Sequence, residues 1–89
     1  MSVKIIIPPS FRHATDNTKE FRTDGKTISD CLEAINKRFP RMKQLIFDDK
    51  GKLLRHIAIF VNGEGVNPGT LKALRDGDEL VITTVFAGG

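Results

Sequence analysis

The sequence predicts a single α+β domain in which one main helix covers one face of a mixed β-sheet. Three observations predict this class. The chain has 89 residues, which suits one small domain. Apolar runs typical of strands lie near both termini and in the second half, and one amphipathic stripe with helical spacing lies between them. A chain of this size can build a core, but not the walls of a deep catalytic cavity.

The N-terminal part of the chain predicts a β-hairpin. The run VKIIIP is rich in β-branched residues and stops at Pro8-Pro9, which is typical of a strand. A polar segment from Ser10 to Lys19, with Asp16-Asn17 as turn formers, is expected to link it to a second strand over Lys19–Thr23.

The clearest element is a helix that begins after Asp24-Gly25. The segment Thr27–Asp30 has the form of a capping box, because a hydroxyl residue is followed three positions later by an acid. Pro40 ends the helix, since the residue before a proline is pushed out of the helical region. Between these signals apolar residues recur at helical spacing, namely Ile28, Cys31, Leu32, Ile35 and Phe39.

Three further strands are predicted after a short second helical piece or packed loop around Met42–Phe47. Apolar residues alternate from Ile57 to Val61, and Asn62-Gly63 supplies the positive-φ pair that a type I′ hairpin turn requires. The chain continues briefly through Val66 and turns again at Asn67-Pro68-Gly69. The last strand is ELVITTVF, after Asp-Gly-Asp.

The first and last predicted strands are the most apolar, so we expect them side by side and parallel at the centre of the sheet. With a hairpin, one crossing helix and further strands on the same sheet, this arrangement is the β-grasp, or ubiquitin-like, fold. The domain is expected to occupy residues 1–86, and residues 87–89 to form a flexible tail.

The sequence does not match several common catalytic and ligand-binding motifs. The glycines from Gly63 to Gly69 have the wrong spacing for a dinucleotide loop and lack the Lys-Ser/Thr pair of a P-loop, so a hairpin turn explains them. Cys31 lies on the apolar stripe of the helix, where a free cysteine behaves as a small hydrophobe. His13 and His56 show no metal-ligand spacing. No bound cofactor and no metal are expected.

A basic cluster, Lys37, Arg38, Arg41 and Lys43, lies at the end of the predicted helix, in a chain of net charge +3. It has two interpretations. Cations stabilise a helix C-terminus against its dipole, and they can also form a docking surface for an acidic partner. Nucleic acid is not expected, because such sites usually interleave aromatic residues with the cations, and this chain has no Trp or Tyr.

The expected location is the cytoplasm, without a membrane partner. The N-terminal apolar run is too short for a signal peptide and is interrupted by prolines, and no stretch approaches the roughly 20 apolar residues that cross a bilayer. The single cysteine cannot form an internal disulfide, which favours a reducing compartment.

The sequence closes on VFAGG, directly after an apolar strand. Because glycine has no Cβ, Gly88-Gly89 can pass through a channel too narrow for side chains. We expect this tail to enter the active site of another protein, which makes the chain a substrate rather than an enzyme.

A β-grasp domain with FVNGEGV, DGDELVIT and a terminal AGG resembles the ubiquitin-like sulfur carrier proteins. This group includes the small subunit of molybdopterin synthase, the thiamine sulfur carrier and the carrier of a thiocarboxylate-dependent cysteine pathway. The resemblance implies that an E1-like enzyme adenylates the carboxylate of Gly89 with ATP, that a sulfur donor converts it to a thiocarboxylate, and that an acceptor enzyme receives the sulfur. Ala87 and Gly88 would be the threading tail. Thr83–Phe86 departs from the proline-containing approach of many members, which leaves the receiving pathway open.

Partner docking is expected on the face of the sheet that the helix leaves uncovered, near Phe86, with Arg38 and Arg41 assisting encounter. Three alternatives remain open from the sequence. The chain could be a ubiquitin-like modifier joined to lysines through Gly89, the small subunit of molybdopterin synthase, or a binding module whose tail is inert.

Overall fold

The structure, a computed structural model, describes residues 2–67 and 73–85. They form a five-stranded mixed sheet with helices packed on one face. The strands are β1 (Val3–Ile6), β2 (Glu20–Thr23), β3 (Ile57–Val61), β4 (Glu64–Val66) and β5 (Glu79–Thr84). The α-helices are α1 (Ile28–Arg38) and α2 (Lys43–Ile46), and 3₁₀ helices cover Pro9–Ala14 and Pro40–Met42.

The strand order in the sheet is β2-β1-β5-β3-β4. β1 and β5 pair in parallel, with Ile5 opposite Leu80, and the other strand pairs are antiparallel. The first and last strands are therefore neighbours near the centre of the sheet, as their apolar composition predicts, and their carboxyl ends lie at the same end of the sheet. This is the predicted β-grasp arrangement.

The core lies between α1 and the sheet. All five residues of the predicted helical stripe are buried, and Cys31 and Ile35 have no exposed surface. The sheet side chains that meet them alternate along their strands with less buried ones, which is the pattern of a sheet covered on one face. These core residues of the strands are Val3, Ile5, Ile57, Ile59, Leu80 and Ile82.

Both ends of α1 are fixed by local interactions. The Thr27 hydroxyl accepts a hydrogen bond from the Asp30 N–H at 3.1 Å, as an N-cap should. The Asp30 carboxylate accepts from the N–H of Lys26 at 3.1 Å, one residue earlier than in a reciprocal capping box. The helix ends at Arg38, and Phe39, before Pro40, has non-helical angles, which confirms the predicted stop.

The link between the first two strands is more structured than predicted. The sequence predicts a polar connection over Ser10–Lys19, but a 3₁₀ helix begins at Pro9 and buries Phe11 and Ala14. Thr15 is fully buried, and its hydroxyl lies 3.2 Å from the carbonyl oxygen of Thr18. Two apolar residues in a single turn are too few for periodicity to reveal such an element. β2 begins one residue later than predicted, at Glu20.

The β3–β4 hairpin confirms the predicted turn. Asn62 has φ 51° and Gly63 has φ 83°, which are the positive values of a type I′ turn. The Asn62 side chain also binds the start of β5, because its Oδ1 accepts from the Glu79 N–H at 3.0 Å and its Nδ2 donates to Asp78 Oδ1 at 3.0 Å. Pro68 and Gly69, in the next predicted turn, lie outside the described residues.

Candidate docking site

The face of the sheet opposite α1 carries a row of apolar side chains. On β5 the inward residues Leu80 and Ile82 are 0% and 2% exposed, so Val81 and Thr83 lie on the other face. The strand register places Ile6, Val81 and Phe60 next to one another across three strands. All three are only partly buried, so this row is accessible to a partner.

We call this surface the open face. It continues from the row to Ala58, which is opposite Thr83, and to Val85, whose side chain is 43% exposed. At its other end, Lys4 Nζ lies 3.4 Å from a carboxylate oxygen of Glu20 and 4.0 Å from one of Glu79. The open face is therefore apolar in the middle and charged at one margin, a composition that favours protein–protein contact.

The open face leads to the end of β5, where the tail begins. Ile57 is opposite Thr84, and the N–H of Val85 donates to the carbonyl oxygen of His56 at 2.7 Å. This bond fixes the last described residue against the start of β3. Phe86, Ala87, Gly88 and Gly89 lie outside the described residues, so their roles as docking residue, threading tail and reacting carboxylate stay predictions.

Arg38 and Arg41, expected to assist encounter, both have intramolecular partners. The guanidinium of Arg38 lies 5.3 Å from the ring centroid of Phe21 and 5.5 Å from that of Phe39. The two rings meet edge to face at 5.6 Å. Arg41 Nη2 lies 3.2 Å from Oδ1 of Asp16, in the turn that follows the first 3₁₀ helix. Arg38 thus connects the end of α1 to β2, a structural role that sequence reasoning missed because Phe21 is distant along the chain.

Cys31 has the properties of a core residue. It is fully buried, and desolvation, with a smaller contribution from the Asp30 carboxylate, raises the pKa of its thiol to about 11. The thiol is therefore protonated at neutral pH, whereas a nucleophilic cysteine needs a thiolate. A Cβ on Gly25 would lie 3.1 Å from the Cys31 sulfur, so a larger residue there would force this side chain to shift by a few tenths of an ångström.

The described residues offer no metal centre, since no three of their His, Cys, Asp and Glu side chains are grouped closely enough to bind an ion. His13 and His56 are both exposed. Within residues 2–67 and 73–85, every helix is too short or too polar to span a bilayer.

Residues 5–89 match the model of the ThiS family. The chain belongs to the ThiS family. The match includes every described strand except the first residues of β1, and it extends through Gly88 and Gly89. Family membership confirms the resemblance to ubiquitin-like sulfur carrier proteins that the FVNGEGV and DGDELVIT segments and the terminal glycines indicated.

Individual proteins that this ThiS family chain resembles have the same fold. It is 34% identical over 77 residues to small archaeal modifier protein 1 of Haloferax volcanii, covering 85% of this chain and 86% of the relative. The crystal structure of that protein superposes over the whole of both chains with a TM-score of 0.85 and 27% identity. CysO of Amycolatopsis orientalis, solved in complex with BexX, has a TM-score of 0.81 and 31% identity over 98% of this chain and 99% of its own. These neighbours confirm the β-grasp fold.

Proposed function

We propose that this ThiS family protein is a sulfur carrier whose Gly89 carboxylate is adenylated by an E1-like enzyme and then converted to a thiocarboxylate. The observation that carries the proposal is the family match over residues 5–89, which includes Gly88-Gly89, separated by three residues from the end of the central strand β5. The hydrogen bond between Val85 and His56 supports it, because it fixes the start of the tail to a rigid sheet.

The chemistry explains why activation is needed. A carboxylate is a poor electrophile, since its negative charge repels an attacking nucleophile. In the proposed first step, a Gly89 carboxylate oxygen attacks the α-phosphorus of ATP and pyrophosphate leaves, which gives an acyl-adenylate. Sulfide (HS⁻) supplied by the donor then attacks the carbonyl carbon and displaces AMP, and loss of the remaining proton leaves a thiocarboxylate. The resulting thiocarboxylate keeps its sulfur attached to the protein until an acceptor enzyme uses it.

The open face is the proposed docking surface for these partners. The row of Ile6, Val81 and Phe60 is apolar and accessible, and Val85 extends it to the base of the tail. Phe86 is the proposed anchor next to it. The similar CysO protein occurs in complex with BexX, which supports a function exerted through a protein partner.

Mass spectrometry tests the proposal. The full chain is incubated with the E1-like enzyme of the same genome, ATP and sodium sulfide as the sulfur donor. We expect the intact mass to rise by the difference between one sulfur and one oxygen atom. A chain lacking Gly88 and Gly89 is the control and should show no change. An unchanged mass of the full chain, with an enzyme that is active on its own known carrier, would refute the sulfur-carrier proposal.

The identity to small archaeal modifier protein 1 favours a second function, conjugation to lysines of target proteins through Gly89. Both functions need the same acyl-adenylate, and they differ in the group that attacks it. Covalent adducts of higher mass that persist on a reducing gel would support the modifier, whereas a free thiocarboxylate supports the carrier. A role as the small subunit of molybdopterin synthase predicts stable binding to that enzyme's large subunit. An inert tail predicts that removing Gly88 and Gly89 changes no activity.

A further inference from the structure

The domain has two ends, or poles, along the direction of its strands, and the topology determines which segments lie at each end. β1 and β5 end at the same end of the sheet, which we call the tail end, because Val85 leaves the sheet there. β3 begins at this end, since Ile57 is opposite Thr84. The N-terminus of α1 lies at the opposite end, where the carbonyl of Lys26 accepts from the N–H of Leu74 at 2.8 Å. The helix therefore ends towards the tail end.

Charge is distributed unevenly between these poles. The tail-end segments 7–20 and 37–56 contain nine Lys and Arg and four Asp and Glu, a net charge of +5. The described segments at the opposite end, 22–30, 62–67 and 73–79, contain three cations and six acids, a net charge of −3. The overall charge of +3 thus hides a positive pole at the end of the domain where the tail begins.

Three cations of this pole lie shortly before β3 in the sequence, the strand that begins next to His56. We call Lys50, Lys52 and Arg55 the tail-end cations. All three are exposed, and the ion pairs found among residues 2–67 and 73–85 involve only Lys4 and Arg41 as cations. Of the two acids that precede them, Asp48 and Asp49, the first accepts backbone hydrogen bonds from the N–H groups of Lys50 and Lys52 at 2.8 and 2.9 Å.

The loop that carries these cations is held in place. Phe47 and Leu53 form an antiparallel bridge across the turn, and the N–H of Leu54 donates to the carbonyl of Ile46 at 2.9 Å. Arg55 then precedes His56, the residue whose carbonyl binds Val85. Arg55 thus adjoins the residue that binds the base of the tail, and the anchored segment before it carries Lys50 and Lys52.

The length of the tail brings this pole against any enzyme that reacts with Gly89. Gly89 is the fourth residue after Val85, and an extended chain covers at most about 3.5 Å per residue, so the reach is roughly 14 Å. An active site is a concave site in a much larger surface. The mouth of a channel that holds Gly89 must therefore come close to the tail end. The exposed cations at this end then face the enzyme surface around the mouth.

We propose that Lys50, Lys52 and Arg55 recognise an acidic rim around the channel through which the adenylating enzyme admits the tail. The inference rests on the proposed function, because it takes Gly89 as the reacting residue. Exposed ion pairs at a rim act mainly on the association rate and are screened by salt. Opposite charges at the two poles also orient the domain before contact, with the tail directed towards the acidic rim.

The test compares two double variants with the same change in net charge. Lys52→Glu with Arg55→Glu reverses two tail-end cations, and Lys26→Glu with Arg75→Glu reverses two exposed cations at the opposite pole. Each protein is titrated against the E1-like enzyme of the same genome in an ATP–pyrophosphate exchange assay, at low and high salt. Thermal unfolding followed by circular dichroism verifies that both variants are folded.

We expect the tail-end variant to raise KM at low salt by about tenfold or more with kcat nearly unchanged, because association rates within one interface vary over one to three decades. The difference should shrink at high salt, and the opposite-pole variant should stay within about twofold of the wild type. Equal KM values for the two variants overturn the inference, and so does a tail-end variant that loses only kcat. In both cases, exchange by the wild type still supports the proposed function. Absence of exchange with the wild type contradicts the proposed function and the inference with it.

Discussion

Phe60 of β3 and Val81 of β5 are directly opposite each other on the face of the sheet that α1 leaves uncovered. Ile6 adjoins Val81 on the other side, so the apolar row crosses the three central strands. The ring of Phe60 also reaches over β4, where a Cβ on Gly65 would lie 3.5 Å from it. The ring is only partly buried, so part of its surface is available to a partner.

Phe60→Ala should therefore weaken binding of the adenylating enzyme by about 2 kcal/mol, the effect of a buried aromatic anchor. The free energy of unfolding should fall less than for a core phenylalanine, because the ring is only partly buried. Phe21→Ala is the matched control: it removes a ring that packs on Phe39 and Arg38, so it should lower stability and leave enzyme affinity nearly unchanged. Calorimetric titration measures the affinities and urea unfolding the stabilities. Equal affinities of wild type and Phe60→Ala would exclude this ring as an anchor.

Deleting Gly88 and Gly89 should abolish ATP-dependent activation and leave thermal unfolding nearly unchanged. The reason is that we place both glycines beyond the sheet, with their function in the partner's channel. Gly88→Ala should fold normally and be adenylated slowly, because a methyl group narrows the fit in that channel. The exchange assay and a thermal melt measure the two effects. A large loss of stability on deletion would show that the glycines pack against the domain.

Arg38→Ala should lower the free energy of unfolding by about 0.5–1 kcal/mol, the contribution of an exposed cation–π contact. The guanidinium faces both Phe21 and Phe39, and losing it removes packing as well as charge. Lys43→Ala is the control, since it removes an exposed cation that makes none of the ion pairs found among the described residues. Urea unfolding compares the two variants. If both are as stable as the wild type and Arg38→Ala only slows association, the arginine acts in encounter, as the sequence suggested.

Cys31 should make stability fall as the pH rises through the alkaline range. Burial and Asp30 raise the pKa of the thiol from 9.0 to about 11 in the folded state. The folded protein therefore favours the protonated thiol, and the stabilisation is fully present below pH 9.0 and is lost as the pH approaches 11. Cys31→Ala removes this dependence and serves as the reference for all other titrating groups. Urea unfolding at several alkaline pH values, compared between the two proteins, measures it; identical slopes would contradict the raised pKa.

The sequence by itself determined the elements whose causes are local. Thr27 and Pro40 set the limits of α1, because an N-cap and a helix stop act within one turn of the residues they affect. Asn62-Gly63 determined the hairpin turn, since few residues adopt positive φ. The strongly apolar first and last strands also predicted the parallel pair of β1 and β5, and the terminal glycines together with the hairpin segment indicated the family.

Only the tertiary structure decided which residues form the open face. Because side chains alternate along a strand, Val81 and Leu80 point to opposite faces of the sheet. Each face of β5 carries apolar residues, so the sequence pattern could not tell which face packs on α1. Packing decides this, because Leu80 lies opposite Ile5 and beneath the helix. The contact of Arg38 with Phe21 and the collection of cations at the tail end likewise depend on long-range topology. Such contacts join residues that are distant in sequence, and no local pattern records them.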